Sequence, residues 1–293
     1  LLGVSHSGDR RHDNEPVPLV PMSLSEILYL AALVVFAWAC RTYHNRYLHK
    51  AGWIALLAAT YLSGFFLFDS HVAGSFGVAI WFLLPWVEIA GRVRGLRFPI
   101  RSEVGSRFPP SDDVFPNLDE LTAEVEACGF EEAGDSGWKW SETDHFVRFF
   151  YDENWCTQAS IALARQDHFA FSYVSLTTRP TDGRIFTTTN YPFAPTMRHA
   201  PQQHVQRFVH AESMEELVEC HERFLDKAAL DDDDIIPLDI EELSTYLEED
   251  LSKQVQHNLS TGLIEPVGED EFRYSWRGCF FLWFQVVKDM IRV

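Results

Sequence analysis

The sequence predicts a membrane protein with three N-terminal transmembrane helices followed by a cytoplasmic α+β domain, an antiparallel sheet meander with C-terminal helices. Three observations predict this arrangement. Three apolar segments follow one another within residues 23–98. The net charge of the chain changes sign after them. The rest of the chain shows first the residue pattern of strands and then that of amphipathic helices.

The three apolar segments form the predicted membrane anchor, residues 23–98. They lie at about 24–40, 52–68 and 72–90, and each is flanked by Trp or Tyr. At about 1.5 Å per residue, each approaches the roughly 30 Å needed to cross a bilayer core. One such segment alone is also typical of a buried core helix, but three in succession favour membrane spans. Residues 1–22 are expected to be an extracytoplasmic segment.

The positions of Lys and Arg predict the orientation of the anchor. Basic residues occur after the first and after the third segment, as Arg41, Arg46, Lys50, Arg92, Arg94, Arg97 and Arg101. The loop between the second and third segments has no Lys or Arg. Because cytoplasmic loops are enriched in these residues, the N-terminus is predicted outside and the C-terminal domain inside. This topology is typical of a bacterial inner-membrane protein. Glu88 lies four residues before Arg92, a spacing that predicts an ion pair on one helix face.

The chain is strongly acidic only beyond the anchor. Residues 1–101 carry six Asp or Glu against nine Lys or Arg, a net charge of +3. The remaining residues carry 37 acids against 15 bases, a net charge of −22, which gives the −19 of the whole chain. Such asymmetry indicates a partner rather than a fold. Nucleic acid is not an expected partner, because phosphate contacts need Lys and Arg.

Residues 117–230 are predicted to form an α+β domain with an antiparallel sheet, after a linker at 99–116 that is rich in Pro, Ser and Asp. A short helix follows Asn117. Strands are predicted where aromatic and β-branched residues are frequent, at 145–151, 157–164, 169–178 and 184–190. Asp182-Gly183 predicts a type I′ turn between the last two strands. Short connections throughout imply a meander.

Residues 231–293 are predicted to be an acidic linker followed by a helical region. A helix capped by Asp239 ends at Gly262, and a small turn or wing follows. The last segment, 280–293, has a narrow polar stripe on an otherwise apolar helix. Such a helix packs into the domain core, contacts a protein partner or lies in the membrane interface, and these alternatives stay open.

Two groups of side chains are candidates for a functional site. The first can bind metals and consists of His199, His204, His210, Cys220 and His221. Their spacing matches no zinc motif, and His221 falls on an apolar helix face, so they are weak candidates. No cofactor is predicted, neither metal nor haem.

The second group is a Thr cluster around the predicted turn: Thr177, Thr178, Thr187, Thr188 and Thr189. These hydroxyls line a polar pocket, present an interaction surface to a partner, or form the solvent face of a half-buried sheet.

The sequence names no reaction, because it contains no phosphate-binding loop, dinucleotide fingerprint or nucleophile elbow. The leading hypothesis is a non-enzymatic accessory, scaffold or regulatory subunit of a larger membrane complex. Its partners would be the lipid bilayer, other membrane proteins and a cytoplasmic protein, in an oligomeric state that the sequence leaves open. One alternative is a ligand-sensing membrane module. Another is a membrane-tethered hydrolase or metal enzyme.

Overall fold

The computed structural model describes residues 22–43, 46–167, 169–230 and 234–292. Three parts of the chain lie outside the described part: most of the predicted extracytoplasmic segment, residues 231–233 of the acidic linker, and the side chains of Arg46, Ile291 and Arg292. The chain divides into two compact units, residues 1–85 with 290–293 and residues 86–289.

Three long helices begin the described chain, as predicted. They are α1 (Leu24–Thr42), α2 (Arg46–Phe68) and α3 (His71–Gly91). All three are long and apolar enough to cross a membrane, which confirms the predicted candidate spans. The start of α1 is fixed by a capping box, in which Ser23 and Glu26 each bind the backbone N–H of the other.

Small residues let α2 approach its two neighbours closely. A Cβ atom on Gly64 would lie 2.8 Å from the carbonyl oxygen of Ala73 on α3, and Gly52 makes a similar approach to α1. The indole N–H of Trp81 donates to Thr60 Oγ1 at 3.1 Å. Close backbone packing and side-chain hydrogen bonds of this kind hold helices together in lipid.

Ten strands in the described part of the chain form two sheets. They are β1 (Phe98–Pro99), β2 (Gly105–Ser106), β3 (Glu131–Trp140), β4 (Thr143–Asp152), β5 (Thr157–Gln166), β6 (Phe169–Thr178), β7 (Ile185–Thr189), β8 (Gln203–Arg207), β9 (Ile264–Val267) and β10 (Glu271–Tyr274). The larger sheet has the order β2-β3-β4-β5-β6-β7-β8, and the smaller has the order β1-β10-β9. All neighbours are antiparallel except β7 and β8, which are parallel.

The sheet-rich α+β region is confirmed, with three differences from the prediction. The four predicted strands correspond to β4–β7, but the other strands of the larger sheet, β2, β3 and β8, were not predicted. The strands β6 and β7 are joined by the six residues 179–184 rather than by a two-residue turn. The meander ends at β7, because the 13 residues 190–202 carry the chain across the sheet to a parallel strand.

Different helices cover the two faces of the larger sheet. The first face packs against α4 (Leu118–Ala127) and α5 (Met214–Lys227) around a core that includes Phe146, Phe150, Ile161, Leu176 and Leu217. The second face packs in part against α6 (Leu243–Ser260), around Val147, Phe149, Ala162 and Leu243. The last helix, α7 (Trp276–Arg292), packs with the smaller sheet around Phe272, Cys279 and Leu282.

The connection 190–202 is held over the second face by two helices. Asn258 on α6 is fully buried, accepts from the backbone N–H of Arg198 at 3.0 Å and donates to the carbonyl of Arg198 at 2.7 Å. Asp289 on α7 accepts from the backbone N–H of Ala194 at 2.6 Å. These bonds fix the connection at two points along its length.

Candidate functional site

The second face of the larger sheet is not completely filled by side chains. There β5 and β6 carry the small residues Ala164 and Ser175, whereas the neighbouring positions Leu163 and Leu176 point into the core of the first face. A cavity of about 680 Å³ lies over the small residues. Its volume falls within the roughly 300–1,000 Å³ that is usual for ligand pockets.

Several helices complete the wall of this cavity together with the connection 190–202. Leu251 and Gln254 come from α6, and Leu282 and Val286 come from α7. Ile89, near the end of α3, also lines the cavity. The wall is therefore assembled from parts of the chain that are far apart in sequence.

Aromatic rings cover much of the wall. The ring centroids of Phe171 and Phe193 lie 5.0 Å apart, and those of Tyr173 and Tyr191 lie 4.9 Å apart, both edge to face. These pairs join β6 to the connection 190–202. Burial raises the pKa of Tyr173, which keeps its phenol neutral. Edge-to-face pairs have a preferred geometry, so this part of the wall is preorganised.

A row of polar side chains lies beside the rings. Ser175, Thr189 and Arg207 are aligned in register across β6, β7 and β8, and all three line the cavity. Ser175 Oγ donates to Thr189 Oγ1 at 2.9 Å, and Thr189 Oγ1 donates to the carbonyl of Val174 at 2.8 Å. Arg207 is the one charged side chain among the described lining residues. Its Nη2 lies 3.4 Å from Asp289 Oδ1.

Three buried donors of the lining residues have no hydrogen-bond partner within the described part of the chain. They are Arg207 Nη1, Trp138 Nε1 and Trp140 Nε1. A buried polar group without a partner costs about 1–3 kcal/mol. Because all three groups are donors, a molecule that carries oxygen acceptors complements them, whereas a pure hydrocarbon does not.

The histidines of the cavity are neutral near pH 7. His145 stacks on Trp138 with ring centroids 4.5 Å apart, and burial lowers its pKa to about 4. Burial also lowers the pKa of His199. Neither imidazole therefore adds positive charge to that of Arg207.

The predicted metal candidates are spread over four parts of the chain. His199 lines the cavity, His204 lies on β8, His210 is exposed after β8, and Cys220 and His221 are buried on α5. Among the residues that the structure describes, no three His, Cys, Asp or Glu side chains form a group that could hold a metal ion. The metal site, and the hydrolase or metal enzyme that would use it, stay predictions.

The predicted Thr cluster divides between the two faces of the sheet. Thr178 and Thr188 are fully buried on the first face, against α5. On the second face, Thr189 lines the cavity, and Thr177 and Thr187 lie 3.1 Å apart, hydroxyl to hydroxyl. One of the five therefore lies where the polar-pocket interpretation would place it.

Three of the basic residues that predict the membrane orientation have defined contacts. The guanidinium of Arg41 lies over the ring of Trp53, 4.8 Å from its centroid. Arg92 pairs with Glu88 at 3.0 Å, as the spacing predicts. The guanidinium of Arg94 lies over the ring of Trp276, 4.2 Å from its centroid. The orientation itself stays a prediction.

Sequence reasoning missed the cavity and most of its lining. One local signal was present, since Phe169, Phe171 and Tyr173 alternate along β6 and so share one face of the sheet. No local pattern indicated that the space in front of this face of the sheet would not be filled by other side chains. Comparisons with protein-family models, curated proteins and solved structures found no match to this chain.

Proposed function

We propose that this chain is a membrane-anchored binding module that takes an apolar ligand with oxygen acceptors into the cavity of its α+β region. This is the ligand-sensing alternative of the sequence analysis, now supported by the cavity rather than by the Thr cluster. The ligand's apolar part would lie against the aromatic wall. Its oxygen atoms would accept hydrogen bonds from Arg207, Trp138 and Trp140.

The cavity itself is the observation that carries this proposal. Ligand sites are usually concave and mostly apolar, with a few polar groups that fix the orientation of the ligand. A cleft of about 680 Å³ with apolar walls and three unpaired donors has these properties. A ligand in this cleft would cover the apolar wall and pair the donors.

The surrounding elements support the bilayer as the source of the ligand. Ile89 and Val93 line the cavity, and both belong to the third candidate membrane span, His71–Gly95. An apolar molecule dissolved in lipid would reach such a wall without crossing water. We further propose, from the Lys and Arg distribution, that the α+β region is cytoplasmic and that the membrane is a bacterial inner membrane.

Filling the cavity by substitution tests the proposal. In Ala164→Phe, the new ring would occupy the floor of the cavity. Ala170→Phe places the same ring on β6 at an exposed position and is the matched control. Full-length wild type and both variants would be purified in mild detergent, and organic extracts of each would be compared by mass spectrometry.

We expect a compound that is retained by wild type and Ala170→Phe and depleted several-fold from Ala164→Phe. General annular lipid would be the same in all three samples and is thereby separated from a specific ligand. Identical extracts from all three proteins, with wild-type thermal stability in both variants, would rule out a ligand in this cavity.

A second candidate function is supported by a different observation, the charge asymmetry. Residues 102–293 carry a net charge of −22, which suits a basic protein partner of an accessory or regulatory subunit. Gentle detergent extraction followed by native gel separation tests it. Reproducible co-migration with a larger complex would support the subunit hypothesis, and migration of the chain alone would count against it.

A further inference from the structure

The last helix carries a stripe of exposed aromatic side chains. Trp276, Phe280 and Phe284 follow one another at intervals of four residues on α7, and their exposed fractions are 56%, 57% and 53%. Residues four apart lie on one helix face. The opposite face is buried and contains Cys279 and Leu282.

This face is unusual for a helix that borders water. A surface helix normally turns its apolar stripe to the core and its polar residues to solvent. Here α7 buries Cys279 and Leu282, confines most of its polar residues to a narrow stripe, and exposes a row of large rings. A contiguous exposed apolar surface of this kind marks a contact with a partner or a membrane.

The stripe continues the surface of a candidate membrane span. Trp86 on α3 lies 6.4 Å from Trp276 and 6.1 Å from Phe280, centroid to centroid. The next residue of α3, Val87, is 64% exposed. The exposed rings of α7 and the end of α3 therefore form one apolar patch within the unit of residues 86–289.

Basic side chains flank this patch. Arg94 lies over the ring of Trp276, and the exposed Arg277 follows Trp276 in sequence. Trp rings at the headgroup level with Arg nearby are characteristic of the boundary between lipid and water. A protein partner would also cover an apolar patch, but the continuity with α3 and the flanking Arg residues favour lipid.

We infer that α7 is an interfacial helix, whose Trp276, Phe280 and Phe284 enter the headgroup region of the bilayer. The helix then binds the membrane through one face and closes the ligand cavity with the other, through Leu282 and Val286. This inference does not depend on a ligand in the cavity, because none of the three rings lines it.

Photochemical cross-linking tests the inference. A p-benzoylphenylalanine would replace Phe280 or, in a second variant, Phe284, in the full-length protein. Trp155 is the matched control, because it is an aromatic residue with a similar exposed fraction, 49%, at the turn between β4 and β5. Each protein would be reconstituted into vesicles of phosphatidylcholine and phosphatidylglycerol, irradiated and analysed for lipid adducts by mass spectrometry.

We expect several-fold more lipid adduct at positions 280 and 284 than at position 155, with thermal unfolding as in wild type. Lipid adducts at 280 and 284 no more frequent than at 155 would overturn the inference. So would cross-links from native membranes that join these two positions to another protein rather than to lipid.

Discussion

His221 shows how a single buried side chain connects α5 to the sheet. Its Nε2 lies 2.9 Å from Thr178 Oγ1, and its Nδ1 lies 2.9 Å from Thr188 Oγ1. Thr157 donates its hydroxyl proton to the carbonyl of Trp155, so Thr178 must donate to Thr157. Thr178 then accepts from His221, which places the imidazole proton on Nε2.

This neutral histidine makes the stability of the fold sensitive to acid. Burial lowers the pKa of His221 to about 4 from an ordinary value of 6.5. Between these values the unfolded chain binds a proton that the folded chain does not, so stability falls as pH falls below about 6.5. The full effect, reached below about pH 4, is on the order of 3 kcal/mol. Roughly 2 kcal/mol of it falls between pH 7 and pH 5, so we expect a lower thermal midpoint at pH 5 than at pH 7.

Two substitutions isolate this contribution. His221→Gln should be less stable than wild type at pH 7, because it loses the imidazole hydrogen bonds to Thr178 and Thr188. Its stability should, however, change less than that of wild type between pH 7 and pH 5. His210→Gln, at an exposed position, controls for the loss of a histidine as such. The assignment is wrong if His221→Gln keeps the pH dependence of wild type.

At the scale of elements, the packing of α2 against α3 predicts that a Gly→Ala substitution destabilises the protein at Gly64 but not at Gly91. Replacing a helical Gly by Ala normally stabilises a helix by roughly 0.8–1 kcal/mol. At Gly64 the new Cβ would lie 2.8 Å from the backbone oxygen of Ala73 and 2.9 Å from the Cα of Gly74, so the helices must separate. At Gly91, the last residue of α3, a new Cβ would meet nothing within 4 Å.

We therefore expect Gly64→Ala to lower the thermal midpoint of the protein in detergent and Gly91→Ala to leave it unchanged or raise it. The measurement is thermal unfolding of both variants beside wild type in the same detergent. Equal stabilisation by both substitutions would show that α2 and α3 do not pack at Gly64.

The elements that the sequence predicted correctly are those whose own residues determine them. The strands β4 to β7 are rich in aromatic and β-branched side chains, and α1 to α3 are long and apolar. β3 contains Gly134 and Gly137 among charged residues, and β8 is the polar run 203–207, so neither has strand character of its own. Both form strands because a neighbouring strand pairs with them. Such pairing cannot be predicted from the local residue pattern of one sequence.

The candidate site was less predictable than the fold for a related reason. Arg207 and Trp138 lie on the missed strands β8 and β3, and Val286 lies on α7. Arg207 is at this site because the connection 190–202 leads from β7 to the parallel strand β8, and α7 is bound to that connection through Asp289. A meander with short connections, as predicted from the sequence, would have left this face of the sheet without that wall.

At the scale of the whole molecule, charge and apolar surface are separated along the chain. Apolar helices with a basic surplus come first, and the acidic α+β region follows. The proposals for the cavity and for α7 both place the α+β region next to the bilayer. They are consistent with one orientation, in which Arg92, Arg94 and Arg97 lie at the cytoplasmic surface.

That orientation gives the last prediction. A fluorescent protein fused after Val293 would fluoresce in bacterial cells, because it folds in the cytoplasm, whereas alkaline phosphatase inserted at the loop around Asp69 would be active, because it requires export. The physical reason is the enrichment of cytoplasmic loops in Lys and Arg: the loop between α2 and α3 has none, and the segments on the other side have seven.

Substituting Arg92, Arg94, Arg97 and Arg101 together by Gln should weaken this bias and give a mixed topology. A reversed pattern, with active phosphatase at the C-terminus, would place the acidic region outside and would remove the cytoplasmic partner from the subunit hypothesis.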